Sequence, residues 1–68
     1  MITITLASAR VNAGLDQKEA AVKLGVSNKT LSSWENGVSF PDALQIQNIC
    51  ELYGIPYDNL NFLPNNPL

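Results

Sequence analysis

The residues best suited to recognition chemistry are Asn28, Lys29, Thr30, Ser32 and Ser33, gathered in "LGVSNKTLSSWENG" at 24–37. They are short amides and hydroxyls with one cation, interrupted by two large apolar residues, Leu31 and Trp34. On a helix turning about 100° per residue, Leu31 and Trp34 define an inward face. Lys29 and Ser33 then point away from the core, with Asn28 and Ser32 on one flank and Thr30 on the other. An α-helix fits the major groove of B-DNA, where each base pair presents a distinct pattern of donors and acceptors. Asn pairs bidentately with adenine, Lys donates to guanine, and Ser or Thr serves either. Short side chains also let the helix backbone approach closely. A solvated face of weak helix formers carries the same residue types, and this helix alone does not separate the two readings.

Other chemistries are poorly supplied. The chain has no histidine and one cysteine, Cys50, so it forms no intramolecular disulfide and no zinc site built from those residues. Cys50 shares a helical spacing with Ala43, Ile46, Ile49 and Tyr53, which reads as an inward core stripe rather than a nucleophile. Without a histidine base or an acid pair at catalytic spacing, no enzyme, cofactor or small-molecule substrate is expected. "MITITL" is too short and polar for a signal peptide, and no apolar run could span a bilayer. The expectation is a soluble, cytoplasmic protein with no membrane partner.

The elements that must position the polar strip follow from the punctuation. "GLD", "GVS", "NG", "FPD", "GIP" and "PNNP" mark turns between segments of helical apolar spacing. "ITITL" alternates like a strand but has no evident partner, so its end is read as the start of a first helix to Ala13, with Leu6 and Ala9 inward. Asp16 or its neighbour caps a second helix, "QKEAAVKL", with Ala20, Ala21 and Leu24 inward, ended by Gly25. Ser27 caps a third, from Asn28 to about Asn36. A fourth runs through Tyr53, with Asp42 in its first turn and Pro41 at or near its start. "YDNLNF" forms a short fifth helix or turn. Sixty-eight residues support one domain, near the lower limit for folding without staples, and dimerisation can supplement so small a core. The domain is placed at 1–63, with 64–68 an irregular tail.

Charge is unevenly placed. The net charge is −2, yet all four bases, Arg10, Lys18, Lys23 and Lys29, lie in residues 1–34 with two acids. Residues 35–68 hold four acids and no base. Such asymmetry can orient a domain toward a polyanion, though four bases can also cluster by chance. The turn "AAVKLGVSNKTLSSW" matches a helix-turn-helix unit, with Ala21 and Gly25 small where its helices would cross. At the second helix's N-terminus, Gln17 and the exposed amides are placed to hold a phosphate.

These pieces, "GLDQKEAAVKLGVSNKTLSSWENG", then "PD", then "YGI" before "YDNL", resemble the phage repressor and Cro-like helix-turn-helix domains, the XRE family. The resemblance covers roughly residues 5–62 and implies an all-α, compact five-helix lambda-repressor-like fold whose third helix enters the major groove. It implies base contacts from Asn28, Lys29 and Ser33, to which the projection adds Ser32. It also implies phosphate contacts from Gln17, Asn36 and the loop from Gly37, with Lys18 and Thr30 assigned beside them. In such domains the residues at Arg10 and Glu35 often form an internal ion pair, and Arg10 is read as structural. The implied ligand is double-stranded DNA, often bound by a homodimer on a palindromic site, and small members are often encoded by phages or prophages. Two features depart from the family pattern. The loop "GVSF" lacks a base, and the chain is acidic overall, so weak non-specific affinity is expected.

Leu44 projects opposite Ile46 and should be exposed; with Phe62 and Leu63 it forms a candidate partner surface. Alternatively, Phe62 and Leu63 fold back over the core. Two functions therefore remain open. One is a sequence-specific DNA-binding regulator of repressor or Cro type. The other is an antirepressor or modulator that binds a partner repressor protein.

Overall fold

The computed structural model describes residues 3–62. Four α-helices are present there: α1 (Leu6–Asn12), α2 (Gln17–Leu24), α3 (Asn28–Glu35) and α4 (Ala43–Tyr53). The expected fifth α-helix is instead a single 3-10 turn at Tyr57–Asn59, followed by a short strand, β2 (Leu60–Asn61). Three residues after Pro56 are too few to carry an α-helical hydrogen-bond ladder, and the chain leaves the turn in extended conformation at Leu60. The strand expectation at the other end is corrected as well. β1 (Ile4–Thr5) does have a partner, because it pairs in parallel with β2, Ile4 opposite Leu60 and Thr5 opposite Asn61. That pairing ties the two ends of the described chain together.

Each helix begins on a polar cap. Thr5 ends β1 and caps α1, its hydroxyl accepting from the Ser8 amide at 3.1 Å. Asp16 and Glu19 close α2 with a reciprocal capping box: the Glu19 amide donates to Asp16 Oδ1 at 2.7 Å, and the Asp16 amide donates to Glu19 Oε1 at 2.9 Å. Ser27 caps α3 through the Thr30 amide. Asp42 is the N-cap of α4 rather than part of its first turn, accepting from the Gln45 amide at 2.9 Å.

Gly25 turns the chain between α2 and α3 at φ 74°, a left-handed conformation that suits glycine. A Cβ built there would meet nothing within 4 Å. Backbone conformation, rather than a close helix crossing, is therefore what selects glycine at this position. Ala21, by contrast, is buried at the helix contact.

Leu6, Ala9, Ala20, Ala21, Leu24, Leu31, Trp34, Ile49, Tyr53 and Leu60 form the core, with Ile4, Leu15, Val26 and Phe62 among the half-buried residues packed on it. The α4 stripe is narrower than its periodicity indicated. Ile49 and Tyr53 are buried, Ile46 and Cys50 are half-buried, and Ala43 is exposed, while the buried residue at that end is Pro41, just ahead of the helix. No helix among the described residues is long and apolar enough to cross a membrane.

Candidate nucleic-acid interface

Burial of Leu31 and Trp34 fixes the rotation of α3 about its axis. With those two side chains in the core, Asn28 and Lys29 are exposed, and Thr30, Ser32 and Ser33 are half-buried along the flanks. Local hydrogen bonds hold part of this face. Ser27 Oγ donates to Thr30 Oγ1 at 2.9 Å, and Asn36 Nδ2 donates to Ser32 Oγ at 3.2 Å. The exit from α3 bends back on itself: the Val38 amide donates to the Ser33 carbonyl at 2.9 Å, with Gly37 at φ 73°.

Behind the face lies a connected set of side chains. Arg10 on α1 donates from Nε to Glu35 Oε2 at 2.8 Å and from a terminal nitrogen to Glu35 Oε1 at 3.4 Å. Its other terminal nitrogen donates to the Leu15 carbonyl at 3.0 Å. The side chains of this pair are 14% and 7% exposed. Gln17 then donates from Nε2 to Glu35 Oε1 at 3.0 Å, and Asn28 Nδ2 donates to Gln17 Oε1 at 3.1 Å. The chain of contacts runs from a largely buried ion pair to an exposed amide on α3.

The expected phosphate contacts are placed unequally. Lys18 is exposed on the first turn of α2 and Asn36 is exposed at the end of α3, whereas Gly37 is half-buried. Gln17 is half-buried, with its amide engaged on both sides by Glu35 and Asn28. The backbone end of α2 is a poorer anion site than its sequence indicated. Asp16 and Glu19 place two carboxylates there, which compete with a phosphate for the positive end of the helix. Among the described residues, Lys18, Lys23 and Lys29 form no ion pair, so all three remain available to phosphates.

The candidate partner surface is redrawn. Leu44 is exposed, but Phe62 is half-buried against the core, its ring 6.1 Å from that of Tyr57. Phe62 is packed there, so it is a poor docking residue. Leu63 and the tail at 64–68 lie outside the described residues. Two residues that sequence reasoning passed over stand near Leu44 in the chain: Val38 is 77% exposed and Phe40 59% exposed. The signal was available, since both sit in "GVSFPD", a segment of turn residues where a large apolar side chain has little local core to enter.

Two titratable groups lie elsewhere. Burial pushes the Tyr53 hydroxyl up to about 12, the nearby Glu35 charge adding to the effect and Arg10 opposing it. That hydroxyl is buried with no hydrogen-bond partner among the described residues. Burial also raises the Cys50 thiol, with Glu51 adding to it, which disfavours a reactive thiolate. No group of acidic, cysteine or histidine side chains that could hold a metal occurs among the described residues.

Comparison with known proteins agrees with this architecture. The protein-family model for Helix-turn-helix matches residues 6–60. A curated relative, described as "HTH-type transcriptional regulator ImmR" of Bacillus subtilis (strain 168), is 40% identical over 55 residues. That match takes in 81% of this chain but 43% of the relative, so the chain spans less than half of that protein's length. No solved structure matches the chain significantly. The match across α1 to β2, together with the α2–turn–α3 geometry and its outward polar strip, places the chain in the XRE-type helix-turn-helix family.

Proposed function

We propose that the chain is a sequence-specific DNA-binding transcription regulator that reads the major groove with α3. The observation that carries this reading is the outward face of α3, where Asn28 and Lys29 are exposed and Ser32 and Ser33 border them. In this reading Asn28, Lys29, Ser32 and Ser33 meet base edges, and Lys18, Thr30, Asn36 and the backbone at Gly37 meet phosphates. Gln17 lies between the two sets. In this reading its second amide hydrogen meets a phosphate. The similarity to a protein described as a transcriptional regulator supports the role. A repressor or Cro-like action, in a phage or prophage setting and in the cytoplasm, is the form of regulation proposed. No catalytic role and no cofactor is assigned. Selection from a randomised duplex library tests the reading: enrichment of a defined sequence supports it, and enrichment of none contradicts it.

A second reading has its own observation. Val38, Phe40 and Leu44 place three exposed apolar side chains within seven residues, and the loop between α3 and α4 carries no base. Such a group suits a protein surface better than a phosphate backbone. In the first reading it serves a homodimer on a palindromic site; in the alternative it meets a partner repressor. Leu44→Glu should leave the fold intact, because Leu44 is 65% exposed, while abolishing two-copy binding to the selected duplex. Sedimentation of the complex measures this. Two-copy binding that survives the substitution removes Leu44 from the interface.

A further inference from the structure

Asn36 and Gly37 carry a chemistry of their own. Asn36 is followed by a glycine, as no other asparagine in the chain is. Asparagine is among the chemically labile residues. The nitrogen of the next peptide unit can attack its side-chain carbonyl carbon, and a following glycine, with no Cβ, leaves that path open. In this step the Gly37 nitrogen gives its proton to hydroxide and bonds to Asn36 Cγ. The Cγ–Nδ2 bond breaks, and ammonia leaves with a proton taken from water. Water then opens the five-membered imide at either carbonyl, giving aspartate or isoaspartate.

Asn36 is exposed to water, as the step requires. The end of α3 nevertheless holds the two reacting atoms apart. Asn36 has ψ 1°, so the Gly37 nitrogen eclipses the backbone nitrogen of Asn36 and lies away from Cβ. Ring closure needs it turned about the Cα–C bond to the side-chain side. Three backbone contacts oppose that turn. The Gly37 amide donates to the Trp34 carbonyl at 3.3 Å, and the Val38 and Ser39 amides donate to the Ser33 carbonyl at 2.9 and 3.4 Å. The side chain is tethered as well, Asn36 Nδ2 donating to Ser32 Oγ at 3.2 Å. Little packing stands behind these bonds. Val38, Ser39 and Phe40 are all exposed, and the chain is next buried at Pro41. Segments held in this way open locally without global unfolding.

We propose that Asn36–Gly37 is a spontaneous deamidation site, that opening of the α3 exit sets its rate, and that its product removes DNA affinity. The last part rests on the DNA-reading role proposed above; the first two do not. The product adds one negative charge to a chain already at −2, at the C-terminal end of a helix, where an anion is disfavoured. In the DNA-reading role it also sets a carboxylate against the phosphate that Asn36 meets. Isoaspartate in addition inserts a methylene into the backbone between α3 and the loop. The chain thereby has a built-in lifetime as a DNA binder.

The chain is incubated at mildly alkaline pH, folded and in denaturant, and peptide mass spectrometry follows each asparagine. Hydrogen exchange measures protection of the Val38 amide in the folded chain. Asn36 should convert before every other asparagine in both states. Folding should slow it by roughly tenfold or more, in step with the protection of Val38. Ser32→Ala, checked for folding by circular dichroism, removes the side-chain tether and should speed the folded reaction by roughly two- to tenfold. An Asn36 that stays intact in the folded chain, or that another asparagine outpaces, overturns the site. A slowing far below the protection of Val38, or a folded Ser32→Ala that reacts at the wild-type rate, overturns control by the α3 exit.

Asn36→Asp stands for the product. It should bind the selected duplex and a scrambled one roughly tenfold more weakly than the wild type at low salt, both being affected alike. Wild-type affinity in that variant overturns the loss of DNA affinity and leaves base reading by α3 in place. A wild-type chain that enriches no sequence overturns the DNA-reading role, and the affinity claim falls with it.

Discussion

Glu35 touches Arg10 on the inner side and Gln17 on the way out to Asn28, so core stability and the outward face of α3 depend on one carboxylate. Glu35→Ala would leave the Arg10 guanidinium, 14% exposed, without its partner. Losing one member of a buried pair costs about 3–5 kcal/mol, a large share of what so small a domain has. Chemical denaturation of the variant should show a drop of that order. Tyr53 behaves oppositely. Its hydroxyl is buried without a partner, so Tyr53→Phe should leave the melting temperature at neutral pH unchanged or raised. Because its folded pKa, about 12, lies above the ordinary 10.0, the folded state keeps a proton that the unfolded chain releases in that window. Stability should therefore be intact below the ordinary value and fall as pH rises through the window, by about 1.4 kcal/mol per pH unit. Melts of the wild type and of Tyr53→Phe near the top of that range should show the variant losing less.

At the scale of elements, the α2–turn–α3 unit depends on Gly25 for its conformation. Gly25→Ala meets no steric contact but must hold φ 74°, so it should cost about 1–2 kcal/mol in a denaturant melt. An unchanged midpoint would show that the turn relaxes easily. Much at this scale was legible in the sequence, because local chemistry decides it. Asp16, Ser27 and Gly25 act on backbone groups a few residues away, and the apolar spacing of Leu31 with Trp34 sets the rotation of α3. What was not legible is non-local. β1 finds its partner more than fifty residues away, at Leu60–Asn61, and an alternating stretch alone does not reveal that pairing. The Gln17 bridge is of the same kind. Its partners Asn28 and Glu35 are 11 and 18 residues distant and meet only once α1, α2 and α3 have packed. The resemblance named Arg10 and Glu35 as a pair, but no local pattern joins Gln17 to them. The exposure of Val38 and Phe40 was within reach, since no helical period carries them inward.

For the whole molecule, the charge distribution bears directly on how DNA would be held. The bases lie in the first half of the chain, and one of them, Arg10, is committed to Glu35. Lys18, Lys23 and Lys29 remain as cations for phosphates, and the apolar loop from Val38 adds none. Counterion release contributes a log–log salt slope of roughly −0.9 per phosphate neutralised. Three cations per copy thus give a shallow dependence, and specific affinity must rest chiefly on the face of α3. The most direct measurement is equilibrium binding of the selected duplex and of a scrambled duplex. It compares the wild type with the combined variant Asn28→Ala, Lys29→Ala, Ser33→Ala across a salt series. The expected result is a folded variant whose preference for the selected duplex is lost, each bidentate base contact having supplied about 1–3 kcal/mol of discrimination. A folded triple variant that still prefers the selected duplex as strongly as the wild type would contradict the assignment of base reading to α3.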